Sequence, residues 1–323
     1  METWKRTVYI SLVCVFCTAF GVSQLAPILP LYFHDLGVQT PEAMSLWSGL
    51  ATGATYIIVC LAAPFWGRVA DKKGRKITLI RSSFGMALCN ILIAFQTTPE
   101  GVVLIRLVQG LVSGFYSASI TLIASESPIE RTGWALGLLA SANLAGSLIG
   151  PLLGGYIADT VGIRNDFIIV GALMGLAGVL ATIFIHENYV PQPNPEKLSI
   201  RKLKEQIPEF NSIVALCVAS FIYAICIMSL QPVISVYIKG IVPSDTENLA
   251  FIAGAVFSAM GIAQLMSSSP LGKLVDKIGP RKVLVVSLIY VGILNIPQAY
   301  VSDVYQLAII RFLQGFGLGG MLP

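Results

Sequence analysis

Ten long apolar runs restrict the fold of this chain more than any other feature of its sequence. They span about 8–33, 46–66, 77–95, 101–125, 134–157, 167–186, 212–238, 251–271, 283–301 and 305–323. Each is close to the roughly 20 residues that a helix needs to cross a hydrocarbon core. Backbone groups in lipid must be paired within a helix or a closed barrel, and these runs lack the alternation of barrel strands. We therefore predict an all-α, multi-pass membrane protein with about ten helices.

Composition supports this class and argues against several others. Hydrophobic residues make up 55% of the chain and charged residues 12%, whereas soluble domains carry roughly a quarter charged residues. The net charge of +4 does not favour nucleic acid, because the cations cluster in particular loops. The six cysteines lie within apolar runs and are interpreted as packing residues. With no P-loop and only two histidines, the sequence predicts no enzymatic activity, cofactor or metal site.

The distribution of Lys and Arg predicts the orientation in the membrane. Nearly all the loop cations lie on one side, which carries the amino terminus and the loops 67–76 and 272–282. The loops on the opposite side hold only Arg164 and Lys239. Because positively charged loops stay in the cytoplasm, we expect a cytoplasmic amino terminus in the cell (inner) membrane.

The chain repeats itself at a constant offset of 205 residues. The offset relates three pairs of motifs: Gly67, Asp71 and Gly74 match Gly272, Asp276 and Gly279; Arg106, Gln109, Gly110 and Gly114 match Arg311, Gln314, Gly315 and Gly319; Pro27 and Tyr32 match Pro232 and Tyr237. Such repeats indicate two parallel halves of a secondary transporter. We predict helix bundles at 1–186 and 212–323. The second is about 70 residues short of a symmetric design, so the chain looks like a fragment or a truncated product, interrupted in its tenth helix.

A polar stretch at 187–211 is predicted to be a cytoplasmic linker between the bundles. Four apolar residues recur in it at helical spacing, namely Ile200, Leu203, Ile207 and Phe210. They favour a short amphipathic helix on the membrane surface, and a plain basic tether is the alternative.

Four groups of residues resemble motifs of the major facilitator superfamily, in particular its twelve-helix drug:proton antiporters. These are the loop residues Gly67, Asp71, Gly74, Arg75 and Lys76; the run Arg106 to Gly110; the fifth-segment pattern Gly146, Gly150, Pro151, Gly154 and Gly155; and Pro27 to Pro30. The resemblance implies two pseudo-symmetric bundles and proton-driven efflux of amphiphilic drugs or related small molecules by alternating access. It also implies a monomer in the lipid bilayer, with no nucleic acid as partner. A metabolite uniporter or symporter, or a non-transporting truncated fragment, remains an alternative.

The resemblance also assigns a gating latch to the two matched loops. The second loop contributes Gly272, Asp276, Gly279 and Arg281. In the family, the first loop is thought to contact the eleventh helix and its repeat the fifth helix. We expect the Asp71 carboxylate to accept from a helix amino terminus or to pair with Arg75. We expect Asp276 to lie near Arg131 and Trp134.

Two charged residues are candidates for coupling. Arg106 lies inside an apolar run, where a cation costs at least about 2.5–3.5 kcal/mol, so it predicts either a function or pairing with backbone carbonyls or a polar helix face. All seventeen acids lie in loops, tails or segment ends, and the nearest proton-carrier candidate is Asp35 beside His34, with a solvated pair as the alternative.

The remaining predictions concern the space between the bundles. We expect the small residues of the fifth segment to pack tightly at the interface between the two bundles and to limit leakage. A mostly apolar pocket between the bundles would suit amphiphilic molecules. Its polar or aromatic candidates are Gln24, Tyr32, Tyr116, Asn143, Tyr223 and Gln231.

Overall fold

The computed structural model describes residues 3–187, 189, 210–243 and 246–319. Within these residues the chain forms twelve helices and no strand. The helices are α1 Thr3–Ser23, α2 Leu25–Asp35, α3 Pro41–Lys73, α4 Arg75–Ala94, α5 Pro99–Val112, α6 Phe115–Glu126, α7 Ile129–Val161, α8 Ile163–Phe184, α9 Phe210–Ile241, α10 Leu249–Ile278, α11 Pro280–Gln298 and α12 Val304–Leu318. The all-α fold predicted from the apolar runs is confirmed.

Two of the predicted runs are broken. The first run forms α1 and α2, with a junction at Gln24, and the fourth forms α5 and α6, with a junction at Ser113 and Gly114. Pro27 lies in the first turn of α2 and has no N–H to donate to the preceding turn, which weakens the helix there. Gly114 has φ = 113°, a conformation that favours glycine. The prediction of one continuous helix for each of these runs was wrong.

Local sequence sets where several helices begin. Thr40 and Thr98 act as N-caps: their side chains accept hydrogen bonds from the N–H groups of Ala43 and Gly101, at 3.3 and 3.2 Å. A proline follows each cap as the first helical residue, where its missing N–H costs nothing. These caps explain why α3 begins several residues before the apolar run at 46.

Eight helical segments in the described part of the chain are long and apolar enough to cross a membrane, and one of them is formed by α5 and α6 together. Large apolar side chains such as Ile57 and Leu61 of α3 are exposed, which is expected of a surface that faces lipid. The chain is therefore a multi-pass membrane protein.

The helices pack as two groups, which we call the first group (α1–α8) and the second group (α9–α12). In the first group, α1 packs against α7 and α8, and α4 packs against α8. In the second, α10 packs against α12. The most extensive contact between the groups joins α7 to α10. The exact bundle boundaries stay a prediction, and Ile200, Leu203 and Ile207 of the predicted linker helix lie outside the described residues.

Candidate functional site: a cavity between two helix groups

A cavity of about 690 Å³ lies between the two helix groups. The first group contributes residues of α1 to α7, and the second contributes residues of α9 and α10. Its wall is mostly apolar, with Leu148, Phe257 and Met260 among the larger side chains. The polar lining residues are Thr18, Ser23, Thr52, Tyr56, Arg106, Ser113, Tyr116, Ser117, Asn143, Ser147, Gln231 and Gln264.

Arg106 is the one charged side chain among the described residues that line this cavity. It is 6% exposed, and its Nη1 donates to Gln109 Oε1 at 2.7 Å, one turn further along α5. Its Nε is buried with no hydrogen-bond partner among the described residues. The position combines both interpretations of the sequence, because the guanidinium is partly paired within its own helix and still lies at the cavity wall. Its role in coupling stays a prediction.

Three of the six predicted pocket residues line the cavity, namely Tyr116, Asn143 and Gln231. The side chain of Tyr223 lies outside the described part of the structure. Gln24 and Tyr32 were predicted to line the pocket, and the structure places both elsewhere, each 0% exposed within the first group. The Tyr32 ring packs edge-on against Phe167 at 5.1 Å, and its hydroxyl donates to the carbonyl of Ile93 at 2.7 Å. A tyrosine in an apolar helix thus serves packing here.

The loop between α3 and α4 is fixed by residues that the sequence did not single out. Gly74 has φ = 91° at the turn. The Glu187 carboxylate accepts from the N–H groups of Arg75 and Lys76, at 2.7 and 2.8 Å, and so caps the amino terminus of α4. The Tyr189 hydroxyl donates to the carbonyl of Asp71 at 2.6 Å.

The Asp71 carboxylate was expected to accept from a helix amino terminus or to pair with Arg75, and among the described residues it does neither. The carboxylate that meets a helix amino terminus at this loop belongs to Glu187. Asp71 itself has no hydrogen bond or ion pair through its side chain with any described residue, Arg75 included. It borders a second cavity of about 340 Å³ together with Gly67 and Arg75.

The second matched loop repeats the backbone of the first. Gly279 has φ = 88°, close to the 91° of Gly74. Each glycine N–H donates to the carbonyl four residues earlier, Ala70 or Val275, at 2.9 Å in both loops. Gly272 lies near the end of α10 and Arg281 in the first turn of α11. The side chain of Asp276 is outside the described part of the structure, so its proximity to Arg131 and Trp134 stays a prediction.

Arg81 holds the junction between α5 and α6. Its guanidinium stacks on the Trp66 ring at 3.5 Å and donates to the carbonyls of Leu111 and Ser113, at 3.1 and 3.0 Å. The guanidinium thus pairs with carbonyls left free where α5 ends.

The glycine pattern of α7 divides between two neighbours. Gly146, Gly150 and Gly154 face α1 and its junction with α2: a Cβ at Gly146 would lie 2.5 Å from the Phe16 carbonyl oxygen. Pro151 and Gly155 face α10, where a Cβ at Gly155 would lie 2.6 Å from the Ala250 carbonyl carbon. The expectation that all five residues seal the interface between bundles was too broad, because the three-glycine stripe packs α7 within the first group.

Asp159, near the end of α7, closes the α7–α10 contact. Its Oδ1 accepts from the Ala250 N–H at 3.1 Å and its Oδ2 from the Phe251 N–H at 2.7 Å. These N–H groups belong to the first turn of α10 and have no partner within the helix. Further along, the Ser258 hydroxyl donates to the Leu148 carbonyl at 2.7 Å. We call the contact from Leu148 to Asp159 the α7–α10 seal.

One of the acids at the segment ends is fully buried. Asp166 lies in the first turn of α8 and is 0% exposed, whereas the sequence placed it just before an apolar run. Its Oδ2 accepts from Gln24 Nε2 at 2.9 Å. The coupling candidate Asp35 forms a pair with His34 at 3.8 Å, and both side chains are exposed. This geometry matches the solvated-pair alternative. Groups of three or more metal-binding side chains are not found among the described residues.

A polytopic helical fold with a cavity between two repeated halves is that of a secondary membrane transporter. The family model of the Major Facilitator Superfamily matches residues 11–241 and 216–323. The chain belongs to this superfamily, and it is a membrane transporter with a small-molecule substrate rather than an enzyme.

Curated relatives agree with the resemblance to drug antiporters that the sequence motifs indicate. "Multidrug resistance protein MdtG" of Salmonella dublin is 38% identical over 320 residues, which is 99% of this chain and 79% of the relative. The protein of that name from Proteus mirabilis is 37% identical over 322 residues, 100% of this chain and 80% of the relative.

Solved structures share the fold at low identity. A D-xylose-proton symporter has a TM-score of 0.71 at 15% identity, covering 98% of this chain and 80% of that one. The nucleoside transporter NupG has a TM-score of 0.74 at 13% identity, covering 99% and 81%.

Proposed function

We propose that this protein exports amphiphilic small molecules from the cytoplasm in exchange for protons, by alternating access. The observation that carries the proposal is the cavity between the two helix groups, bounded by the α7–α10 seal. A cavity of about 690 Å³ is within the usual size range of small-molecule sites. Its apolar wall with a few polar groups suits molecules that expose both kinds of surface. Relatives that carry the name of a multidrug resistance protein support this substrate class.

The direction of transport follows from the proposed orientation. We place the amino terminus and the loops 67–76 and 272–282 in the cytoplasm, because they carry nearly all the loop cations. The seal around Asp159 then lies toward the outer face of the inner membrane. In this arrangement the seal is formed, and export requires it to open so that a bound molecule can leave.

The two matched loops serve as latches in this cycle. The Asp71 carboxylate has no partner among the described residues, so it remains available to a group that approaches in another conformation. A contact made in only one access state shifts the equilibrium toward that state. Because one chain supplies both walls of the cavity, we propose that the protein works as a monomer.

Dye accumulation in bacterial cells that lack their own drug exporters tests this function. Cells that produce the protein should accumulate less ethidium than vector cells, and an uncoupler should remove the difference. Arg106→Ala should raise accumulation to the vector level, while Arg164→Ala, at an exposed residue that bonds the Gln96 carbonyl, should not. Equal accumulation in producing and vector cells, for ethidium and for a neutral and an anionic dye alike, would contradict export. Unchanged efflux by Arg106→Ala would remove that residue from the mechanism.

A further inference from the structure

The buried acid Asp166 and the amide Gln24 form an isolated polar pair within the first group. Both side chains are 0% exposed, and a single hydrogen bond of 2.9 Å joins Gln24 Nε2 to Asp166 Oδ2. Asp166 comes from the first turn of α8, and Gln24 is the junction residue between α1 and α2. The pair therefore connects an acid to the break in the first membrane segment.

Two oxygen atoms of this pair have no hydrogen-bond donor among the described residues. They are Asp166 Oδ1 and Gln24 Oε1, and both are buried. An ionised carboxylate and an amide oxygen can only accept, so neither can satisfy the other. A proton on Oδ1 converts that atom into a donor. The two oxygens without a donor therefore indicate that this pair can bind a proton.

No cation fixes the charge of Asp166 in the described part of the structure. From α8 itself, the Arg164 guanidinium donates to the Gln96 carbonyl at 3.3 Å. From α2, the Tyr32 hydroxyl donates to the Ile93 carbonyl. From α4, Asn90 Nδ2 donates to the Met86 carbonyl at 2.9 Å and lies 3.3 Å from Met174 Sδ. From α7, Asp159 bonds the first turn of α10. Among the described residues, the Gln24 amide is the only polar partner of the Asp166 carboxylate.

Gln24 connects Asp166 to the two parts of the protein that move in the proposed cycle, the cavity wall and the α7–α10 seal. Its neighbours Ser23 and Leu25 line the cavity. Its side chain packs against Gly154 of α7, one residue before the Gly155 that contacts α10. The backbone hydrogen bonds at the junction are long, 3.3 Å from Gln24 N to Phe20 O and 3.4 Å from Ile28 N to Gln24 O. A change at the amide can therefore reach both the cavity wall and the seal.

We propose that Asp166 binds the proton that drives transport, and that Gln24 is the positioning residue that transmits its protonation to the broken first segment. One proton binds Oδ1 from one side of the membrane and is released to the other in each cycle, with no other bond made or broken. This inference rests on the proposed proton-coupled export. It assigns the carrier to the first turn of α8, whereas the sequence favoured Asp35.

The test uses the purified protein in liposomes with ethidium as the probe. The wild type should move ethidium faster when a pH gradient is imposed, and should also exchange ethidium without one. Asp166→Asn should abolish the effect of the pH gradient and keep ethidium exchange. Asp166→Glu should retain the gradient effect, with a displaced pH profile of transport. Gln24→Leu should also displace the pH profile. Asp303→Asn, at an exposed acid that caps α12 within the second group, should behave as wild type.

Two transport results would overturn the assignment. Gradient-driven movement that survives in Asp166→Asn, or is lost in Asp35→Asn instead, would place the carrier elsewhere. Loss of exchange together with the gradient effect would make Asp166 structural. Infrared difference spectra between acidic and alkaline pH add a readout independent of ethidium: one carboxylic C=O band of the wild type should be missing in Asp166→Asn, while the bands of the other acids remain. If wild type shows exchange and the band but no gradient effect, proton-driven export fails while proton binding at Asp166 stands. If the band is the same in both proteins, the proton site fails regardless of transport.

Discussion

Replacing Asp159 by Asn should weaken the α7–α10 seal without disturbing either helix group. The carboxylate supplies one oxygen to each of two N–H groups, at 3.1 and 2.7 Å. The Asn amide keeps one acceptor, so one charge-assisted hydrogen bond is lost, and such bonds contribute about 1.5–3 kcal/mol. The charge at the α10 amino terminus is lost as well, worth about 0.3–1 kcal/mol where exposed. Since the residue is only half-buried, we expect a net loss of about 1–2 kcal/mol, or a factor of about 5–30 in the ratio of closed to open seal.

Hydrogen–deuterium exchange measured by mass spectrometry gives a local readout of this change. A peptide that covers the first turns of α10 contains the Ala250 and Phe251 amides, and its exchange should accelerate in Asp159→Asn. The matched control is Asp303→Asn, because Asp303 accepts from the Tyr305 N–H at the start of α12, within one helix group. That variant should accelerate exchange at α12 and leave α10 as in wild type. The reasoning would be refuted by unchanged exchange at α10 in Asp159→Asn, or by equal acceleration in both variants.

Three further predictions follow from the packing. Gly155→Val should also weaken the seal, because overpacking against the Ala250 backbone costs about 1–3 kcal/mol. Gly137→Val is the control, since a Cβ there has nothing near it. Deuterium exchange at the start of α10 should accelerate in the first variant and not in the second. Glu187→Gln should lower the free energy of unfolding in detergent by about 1 kcal/mol, because it weakens the cap on α4. An equal loss in Glu130→Gln would contradict this account. Tyr32→Phe should lower the free energy of unfolding by about 1 kcal/mol and leave the order of preferred dyes unchanged. Tyr116→Phe, at the cavity wall, should alter that order. A changed order in Tyr32→Phe would show that Tyr32 contacts the substrate after all.

The sequence was sufficient for those features that depend on local pattern. The apolar runs predicted the spanning helices, because their length is set by the thickness of the bilayer. The 205-residue offset predicted that Gly74 and Gly279 occupy matching turns, and their φ angles differ by only 3°, 91° against 88°. The closeness of α7 to its neighbours was predicted from its glycine spacing. Which neighbour each glycine meets was not, because five residues on a helix can face two partners.

The polar contacts that define the candidate site depend on distance in space, which the spacing of residues does not contain. Gln24 and Asp166 are 142 residues apart, and Arg75 and Glu187 are 112 apart. Asp166 lies one residue before the apolar run at 167, so the sequence grouped it with the acids of loops, tails and segment ends. A signal was present in the sequence: Asp166 falls within the first turn after Gly162, a glycine that ends α7 with φ = 90°. Treating that glycine as the boundary would have placed the acid inside the next helix.

The capping of α4 by Glu187 has a mechanical consequence. Glu187 comes three residues after the end of α8, at the start of the stretch that leads to the second group. Through Glu187 and Tyr189, the beginning of this connection is fastened to the loop at Asp71 to Lys76. If the two groups separate as proposed, tension along the connection reaches these hydrogen bonds first. Under the proposed latch role, the loop then senses strain along the chain as well as contact across the interface.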